Sequence, residues 1–242
     1  MRRIESKSNP LVKTLFRLAH PRKREAQFLL EGKKLVDEAL QSGTEVETIV
    51  LSSAYRGVPP ENAPAVELED VLFRKVSVLE SPEGILAIAR RPSPPAPRSG
   101  LIAVAAGIQD PGNLGAIARV VEASGAAGLV VLKGSADPYG PKAVRGSMGS
   151  VLRVPVCEVS ELSELDGFRK IALVPRGGSD YREMDWVSPC AVVLGGESGG
   201  IDSEMLSRCD TKVSIPMHGK VESLNVATAA ALVLFQARRP DG

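Results

Sequence analysis

Histidine and cysteine are both scarce in this 242-residue chain. Only His20 and His218 occur, which leaves little room for a histidine-built metal site or a histidine-based triad. The three cysteines, Cys157, Cys190 and Cys209, form no CxxC pair. That excludes a zinc ribbon, argues against a disulfide framework and fits a reducing cytoplasm, the expected location. No metal is expected. No apolar run approaches the ~20 residues needed to cross a bilayer, so no membrane partner is expected. Lys13 and Arg17 interrupt the apolar stretch near the charged N-terminus, which argues against a signal peptide. Nucleotide signatures are missing as well. GSADPYGPK at 134–142 has the wrong spacing for a Walker loop, and no GxGxxG with a strand-end acid supports dinucleotide binding.

Charge is present in both signs but unevenly placed. Residues 1–34 hold ten Lys or Arg against three Glu, a balance of +7, while residues 35–90 hold four against ten acids, a balance of −6. A basic arm can grip phosphates, although such arms are often merely solvated. Four prolines fall within RRPSPPAPRSG at 90–100. A stretch this rich in proline runs through neither a helix nor a central strand and reads as a semi-rigid linker. It divides the chain into domains at 1–90 and 101–242, with 91–100 between them.

In the first domain, Ser8-Asn9-Pro10 signals a helix start with Leu11, Leu15 and Leu18 on one face. Strands are expected at 27–30, 48–51 and 85–89, and an amphipathic helix over 33–42 with Gly43 as its stop. In the second domain, nearly continuous apolar runs predict parallel strands at 101–106, 128–132, 171–174, 191–194 and 212–215. Helices are expected at 114–124, 161–168, 203–209 and 223–239. The fold class is α/β: a small α/β domain followed by an open parallel sheet with flanking helices. Its ligand belongs beyond the carboxyl ends of the strands.

Three loops follow those strands. In the first, IQDPGNLGAIAR at 108–119, Asn113 is a candidate helix cap. Arg119 sits among small apolar residues, either snorkelling to solvent or partly desolvated as an anion ligand. In the second, VVLGGESGGI at 192–201, glycines around Glu197 allow close backbone approach to a flat ligand. The same stretch matches the GxSxG elbow of serine hydrolases, with Ser198, then Asp202 or Asp210, then His218. His218 follows only twenty residues after Ser198, too soon for the crossovers that fold needs. In the third, VSIPMHGKVESLN at 213–225, Ser223 is placed to cap an alanine-rich helix with Asn225 just inside it.

Taken in order, NLGAIAR at 113–119, LGGESGGI at 194–201 and IPMHGKVESLNV at 215–226 resemble the three motifs of the SpoU-type (TrmH-like) RNA ribose methyltransferases. These belong to the trefoil-knotted SPOUT superfamily. DPYGPKAVRGSMG at 137–149 looks like the family's segment between motifs one and two. FLLEGK at 28–33 and SPEGIL at 81–86 are similar to an L30e-type substrate-binding domain. The resemblance implies a deep C-terminal knot, which connectivity rules alone would argue against. It also implies a homodimer with each RNA site built partly by the neighbouring subunit, and S-adenosylmethionine as the methyl donor. By motif matching, the donor falls to Leu194, Gly195, Gly196, Gly200, Ile215, Met217, Leu224 and Asn225. The same matching implies that the family's catalytic arginine falls on Arg119, supported by Asn113, Glu197, Ser223 and Asn225. The N-terminal domain is expected to place Arg2, Arg3, Arg22, Lys23 and Arg24 on RNA phosphates.

Methyl transfer from a sulfonium is an in-line displacement that needs no metal. The enzyme must align the 2′-oxygen and stabilise a growing alkoxide. A guanidinium holds its proton tightly near neutral pH, so Arg119 is read as an electrostatic ligand rather than a general base. The resemblance points to 23S ribosomal RNA ahead of transfer RNA. A non-catalytic RNA-binding protein is the alternative from another class.

Overall fold

A computed structural model of the chain describes residues 1–61, 63–197 and 199–238. It divides into two compact units: Met1–Pro92 with Tyr139–Arg145, and Ser93–Pro138 with Gly146–Gly242.

The first unit runs β1 (Arg2–Ile4), α1 (Pro10–Ala19), β2 (Gln27–Glu31), α2 (Lys33–Gln41), β3 (Val46–Ser52), β4 (Ala65–Leu68), α3 (Asp70–Val76) and β5 (Ile85–Arg90). Its sheet is mixed, in the order β1-β4-β3-β5-β2: β4 is parallel to β1 and β3, and β5 is antiparallel to β3 and β2. Helix α1 starts as its sequence predicts, with the Asn9 side chain accepting from the Leu11 N–H at 2.9 Å and Pro10 in the first turn. Val12, Leu15 and Leu18 then pack with Leu72, Phe73 and Val76 of α3 over Leu29, Val50, Leu86 and Ile88 of the sheet. The segments 28–33 and 81–86 meet. Gly32 has no side chain to cap α2, and the Glu83 carboxylate accepts from the Lys33 N–H at 2.8 Å instead. Strands β1 and β4 and helix α3 carry no sequence expectation. Tyr139, assigned by the linker position to the second domain, is buried in this unit, its ring 5.1 Å from that of Phe28 and 5.0 Å below the Arg91 guanidinium.

Onward run β6 (Leu101–Ala106), α4 (Pro111–Ser124), β7 (Gly128–Leu132), α5 (Pro141–Ser147), β8 (Val156–Val159), β9 (Arg169–Leu173), β10 (Ser179–Asp180), β11 (Cys190–Gly195), α6 (Ser203–Ser207), β12 (Thr211–Ser214) and α7 (Val226–Ala237). The strands form one seven-stranded sheet, parallel throughout, in the order β10-β12-β9-β11-β6-β7-β8. Every residue of β6 and β7 is buried, as their apolar runs require. From β6 the chain moves outward to β7 and β8, then continues on the other side through β9. The order therefore reverses between β6 and β11.

Several expectations are corrected. The helix expected over 161–168 is a 3₁₀ turn at Leu162–Leu165, closed by a reciprocal capping box between Glu161 and Glu164. That box satisfies the free N–H groups within one turn. Helix α6 is two residues shorter than expected. Helix α7 begins at Val226, and residue 239, its expected end, lies outside the described residues. Helix α4 starts three residues earlier than expected, because Pro111 fits its first turn and Asp110 caps it, accepting from the Asn113 N–H at 2.9 Å. Asn113 is thus inside the helix and free to use its side chain elsewhere.

Candidate functional site

Parallel strands point all their carboxyl ends the same way, so the loops after β6, β9, β11 and β12 converge on one edge. An open cleft of about 750 Å³ lies among the last three of these. Its walls are Leu173, Val174 and Pro175 after β9, the glycine loop with Leu194, Gly195, Gly196, Glu197 and Gly200 after β11, and Ile215 and Met217 after β12. Glu222, Ser223, Leu224, Val226 and Ala229 close it at the start of α7. Seven of the eight residues matched to the methyl donor line it. Asn225 does not.

The glycine loop is a tight turn in which the Gly200 N–H donates to the Gly196 carbonyl at 2.9 Å. A Cβ on Gly196 would stand 2.3 Å from the Gly107 carbonyl oxygen, and one on Gly195 would stand 2.4 Å from the Gly200 carbonyl carbon. Backbone therefore meets backbone where the loops after β6 and β11 touch. No side chain fits between them.

A chain of hydrogen bonds runs along the same seam. Asn225 caps α7 with its Oδ1, which accepts from the Ala227 N–H at 2.9 Å, and its Nδ2 donates to Asn113 Oδ1 at 2.9 Å. Asn113 Nδ2 in turn donates to Glu197 Oε1 at 2.7 Å, and Glu197 Oε2 accepts from the Gln109 N–H at 3.3 Å. The three motifs are thereby tied in series, with each amide oriented by its neighbours. The cap belongs to Asn225, not to Ser223, which instead lines the cleft. Partial burial pushes the Glu197 carboxyl up, but hydrogen bonds from Asn113 and from the backbone N–H groups of Glu197, Gln109 and Asp110 outweigh it. The carboxyl is held below its ordinary range, so Glu197 is an anion and only accepts.

Arg119 lies apart from this chain. Among the described residues its Nη1 reaches only the Met148 sulfur, at 3.2 Å, and the side chain is exposed rather than partly desolvated. The basic residues of the first unit are also separated. Arg2 and Arg3 lie on the edge strand β1, where Arg3 is drawn to Glu5 at 2.9 Å and Glu67 at 3.5 Å. Arg22 and Lys23 are exposed in the loop after α1, and Arg24 is half-buried. The hydrolase alternative finds no support. Ser198 lies outside the described residues, and both candidate acids are occupied by backbone: Asp202 accepts from the Met205 N–H and Asp210 from the Lys170 N–H, each at 2.7 Å.

Gln109, Leu173, Val174, Pro175, Glu222, Val226 and Ala229 carry no sequence assignment. Residues 173–175 end a strand, so the rule that ligands sit beyond strand termini points to them. Gln109 is visible only once the loops are brought together. Its side chain donates to the Gly134 carbonyl at 2.7 Å and pins the loop after β6. The residues present fit S-adenosylmethionine. Apolar walls from Leu194, Ile215 and Leu224 suit a flat purine, bare backbone allows close approach, and two carboxylates with no lining cation among the described residues suit a sulfonium. Among the described residues there is no cluster able to hold a metal.

Residues 100–235 match the model of the SpoU rRNA Methylase family, and residues 9–87 match an MRM3-like substrate binding domain. The chain is 31% identical to the 23S rRNA (guanosine(2553)-2′-O)-methyltransferase RlmP of Bacillus subtilis, covering 98% of this chain and 100% of that protein. An AdoMet-bound rRNA methyltransferase from Sinorhizobium meliloti superposes with a TM-score of 0.85 at 26% identity, covering 98% of this chain and 97% of that one. The SpoU methyltransferase AviRb of Streptomyces viridochromogenes, in complex with AdoMet, gives 0.86 at 26% identity over 95% of this chain and 97% of that one. With a family match across more than half its length and a full-length relative at this identity, the chain belongs to the SpoU rRNA Methylase family.

Proposed function

We propose that the protein is an S-adenosylmethionine-dependent methyltransferase acting on a ribose 2′-hydroxyl of 23S ribosomal RNA, in the cytoplasm and as a homodimer. The observation that carries this reading is the cleft beyond the carboxyl ends of β9, β11 and β12, glycine-walled and acidic, with all three motifs hydrogen-bonded along its edge. The full-length relative named for 23S ribose methylation and the matched substrate-binding domain favour ribosomal over transfer RNA. In this reading residues 1–90 select the RNA, 91–100 link, and 101–242 carry the reaction and the expected trefoil knot.

Leu194, Gly195, Gly196, Gly200, Ile215, Met217 and Leu224 would hold S-adenosylmethionine, which supplies an electrophilic methyl carbon when bound. Glu197 places negative charge beside that seat, and Asn113 and Asn225 fix its direction. Asn225 is read as a support that acts through Asn113 and not as a donor ligand. Ser223 presents a hydroxyl at the cleft for the incoming ribose. Arg119 holds the neighbouring phosphate with its guanidinium and stabilises the alkoxide as the 2′-hydroxyl loses its proton. Its exposure, outside the Asn113–Glu197 chain, fits a site that a second subunit completes. Arg2, Arg22 and Lys23 hold phosphates on the first unit, with Arg3 and Arg24 contributing less because they are already engaged.

The test is transfer of labelled methyl from S-adenosylmethionine to unmodified 23S rRNA, followed by mapping of 2′-O-methyl sites. Label in one ribose of that RNA supports the reading. Label only in transfer RNA, or on a base, would sink it.

A further inference from the structure

The strap that follows β12 has two sides of opposite character. Towards α7 it walls the donor cleft, whose lining among the described residues includes the carboxylates of Glu197 and Glu222 and no Lys, Arg or His. On its other side a second groove, of about 880 Å³, shares Pro175, Ile215 and Met217 with the cleft. That wall is only a few side chains thick. The groove is lined by Arg176, which is exposed and makes no hydrogen bond or ion pair among the described residues. The groove's acid, Asp180, is already neutralised. Arg182 binds both of its carboxylate oxygens, with contacts of 3.0 and 2.5 Å, and holds its carboxyl below the ordinary range. Along the strap the exposed His218 and Lys220 alternate with the groove-lining Met217, Gly219 and Val221.

The loop that presents Arg176 is closely fitted. A Cβ on Gly178 would stand 2.5 Å from the Val213 carbonyl carbon, and the Gly178 N–H donates to Ser214 Oγ at 2.9 Å. The turn therefore lies directly against β12, and Arg176 projects from a backbone that has little freedom to move. A free guanidinium on such a turn, beside a neutralised acid, is an anion ligand in waiting.

We propose that this groove seats a phosphodiester of the RNA that carries the reacting ribose, with Arg176 as its principal ligand, Lys220 adding charge along the rim and His218 offering a ring N–H beside it. The strap then separates the two substrates by charge: the cationic donor on the acidic side, the polyanion on the basic side. The inference rests on RNA being the acceptor. It assigns to the second unit a phosphate contact of its own, next to the donor, in addition to those of the first unit.

The test uses the full-length protein with Arg176→Gln and Arg176→Lys, unmodified 23S rRNA made by transcription, and S-adenosylmethionine. RNA affinity is measured across a salt series without donor, and donor affinity is measured without RNA. Arg176→Gln should weaken RNA binding at low salt by about two- to fivefold. It should also reduce the slope of log K against log salt by about 1, with KM for RNA rising more than kcat falls. Arg176→Lys should restore most of the salt slope, since a point charge also neutralises a phosphate. Donor affinity should stay at the wild-type value. Unchanged RNA binding with weakened donor binding would assign the guanidinium to the donor's carboxylate and overturn the proposal. Unchanged binding of both would leave Arg176 a solvated cation and overturn it equally. A wild-type protein that binds the donor but neither binds nor methylates the RNA would instead remove the reading on which the inference stands.

Discussion

The two units are both α/β, yet one gathers its chemistry and the other spreads it. In the second unit all seven strands are parallel, so every carboxyl end, and every loop after one, faces the same edge. The glycine loop, the strap and the start of α4 are brought together there by topology alone. In the first unit β5 runs against β2 and β3, so strand ends fall on both edges. The cations proposed to contact RNA there lie apart on an edge strand and a loop. A parallel sheet can build a pocket from distant motifs, whereas this mixed sheet offers a charged surface. The expected consequence is a division of labour: substitutions in the second unit act on chemistry and donor binding, those in the first on RNA affinity and its salt dependence.

The largest effect should come from Arg119. Arg119→Ala is expected to lower kcat by about 100- to 1,000-fold, the usual cost of removing one group that stabilises a developing oxyanion. Donor affinity measured by calorimetry should not change, because the side chain touches none of the cleft-lining residues among its described contacts. Near-full turnover of Arg119→Lys, with unchanged RNA affinity, would remove the case for a bidentate guanidinium. Next in size is Gly196→Ala. Its Cβ would meet the Gly107 carbonyl oxygen at 2.3 Å, a backbone atom that cannot swing aside. The loops must part, costing about 1–3 kcal/mol in thermal or urea unfolding. Donor binding should fall by at least tenfold. Wild-type donor affinity in this variant would mean the close approach of the loops is not what shapes the cleft.

How much of this could be read from residues follows the same contrast. Strands β6 and β7 match their expected bounds because both faces are buried, which leaves an apolar run with clear ends. Strands β1, β4, β8 and β10 are short and include charged residues, and they become strands only through a neighbour's ladder. The motif residues were legible as a set, but their contacts were not. Asn113 and Ser223 each look like helix caps, and the caps are in fact Asp110 and Asn225. In the first case Pro111 decides it, since proline favours the first helical position and puts the cap one residue before. In the second nothing local decides it, because both residues are good caps. Tyr139 illustrates a further limit: its burial against Phe28 joins residues more than a hundred apart, and no pattern of spacing encodes that.

A smaller effect should follow from Glu197. Its carboxyl sits below the ordinary range, near 4.3 for a free glutamate, because the bonds from Asn113 and the backbone prevail over burial. A depressed group contributes stability above its unfolded value and loses it as pH falls through the folded one. Donor affinity should therefore be flat from neutral pH down to about 4.3 and fall only below that. Glu197→Gln should abolish that acid limb and weaken donor binding at neutral pH, since an amide NH₂ can face the Asn113 donor where an anion accepted. An unchanged acid limb in the variant would show that another group governs it.

The smallest effect tests the first unit. Deleting it would also uncover Tyr139, so charge substitution is the cleaner probe. Arg22→Gln with Lys23→Gln should lower the salt slope of RNA binding by about 2, one for each phosphate left without its cation, and weaken binding uniformly across RNA sequences. The kcat at saturating RNA and the donor affinity should match wild type. Arg3→Gln should do less than either, because Glu5 at 2.9 Å and Glu67 at 3.5 Å already compete for that guanidinium. The ordering matters more than any single value. If Arg3 proved the strongest of the three, the ion pairs on β1 would have to open on binding RNA, and the first unit would be a rearranging surface rather than a fixed patch of charge.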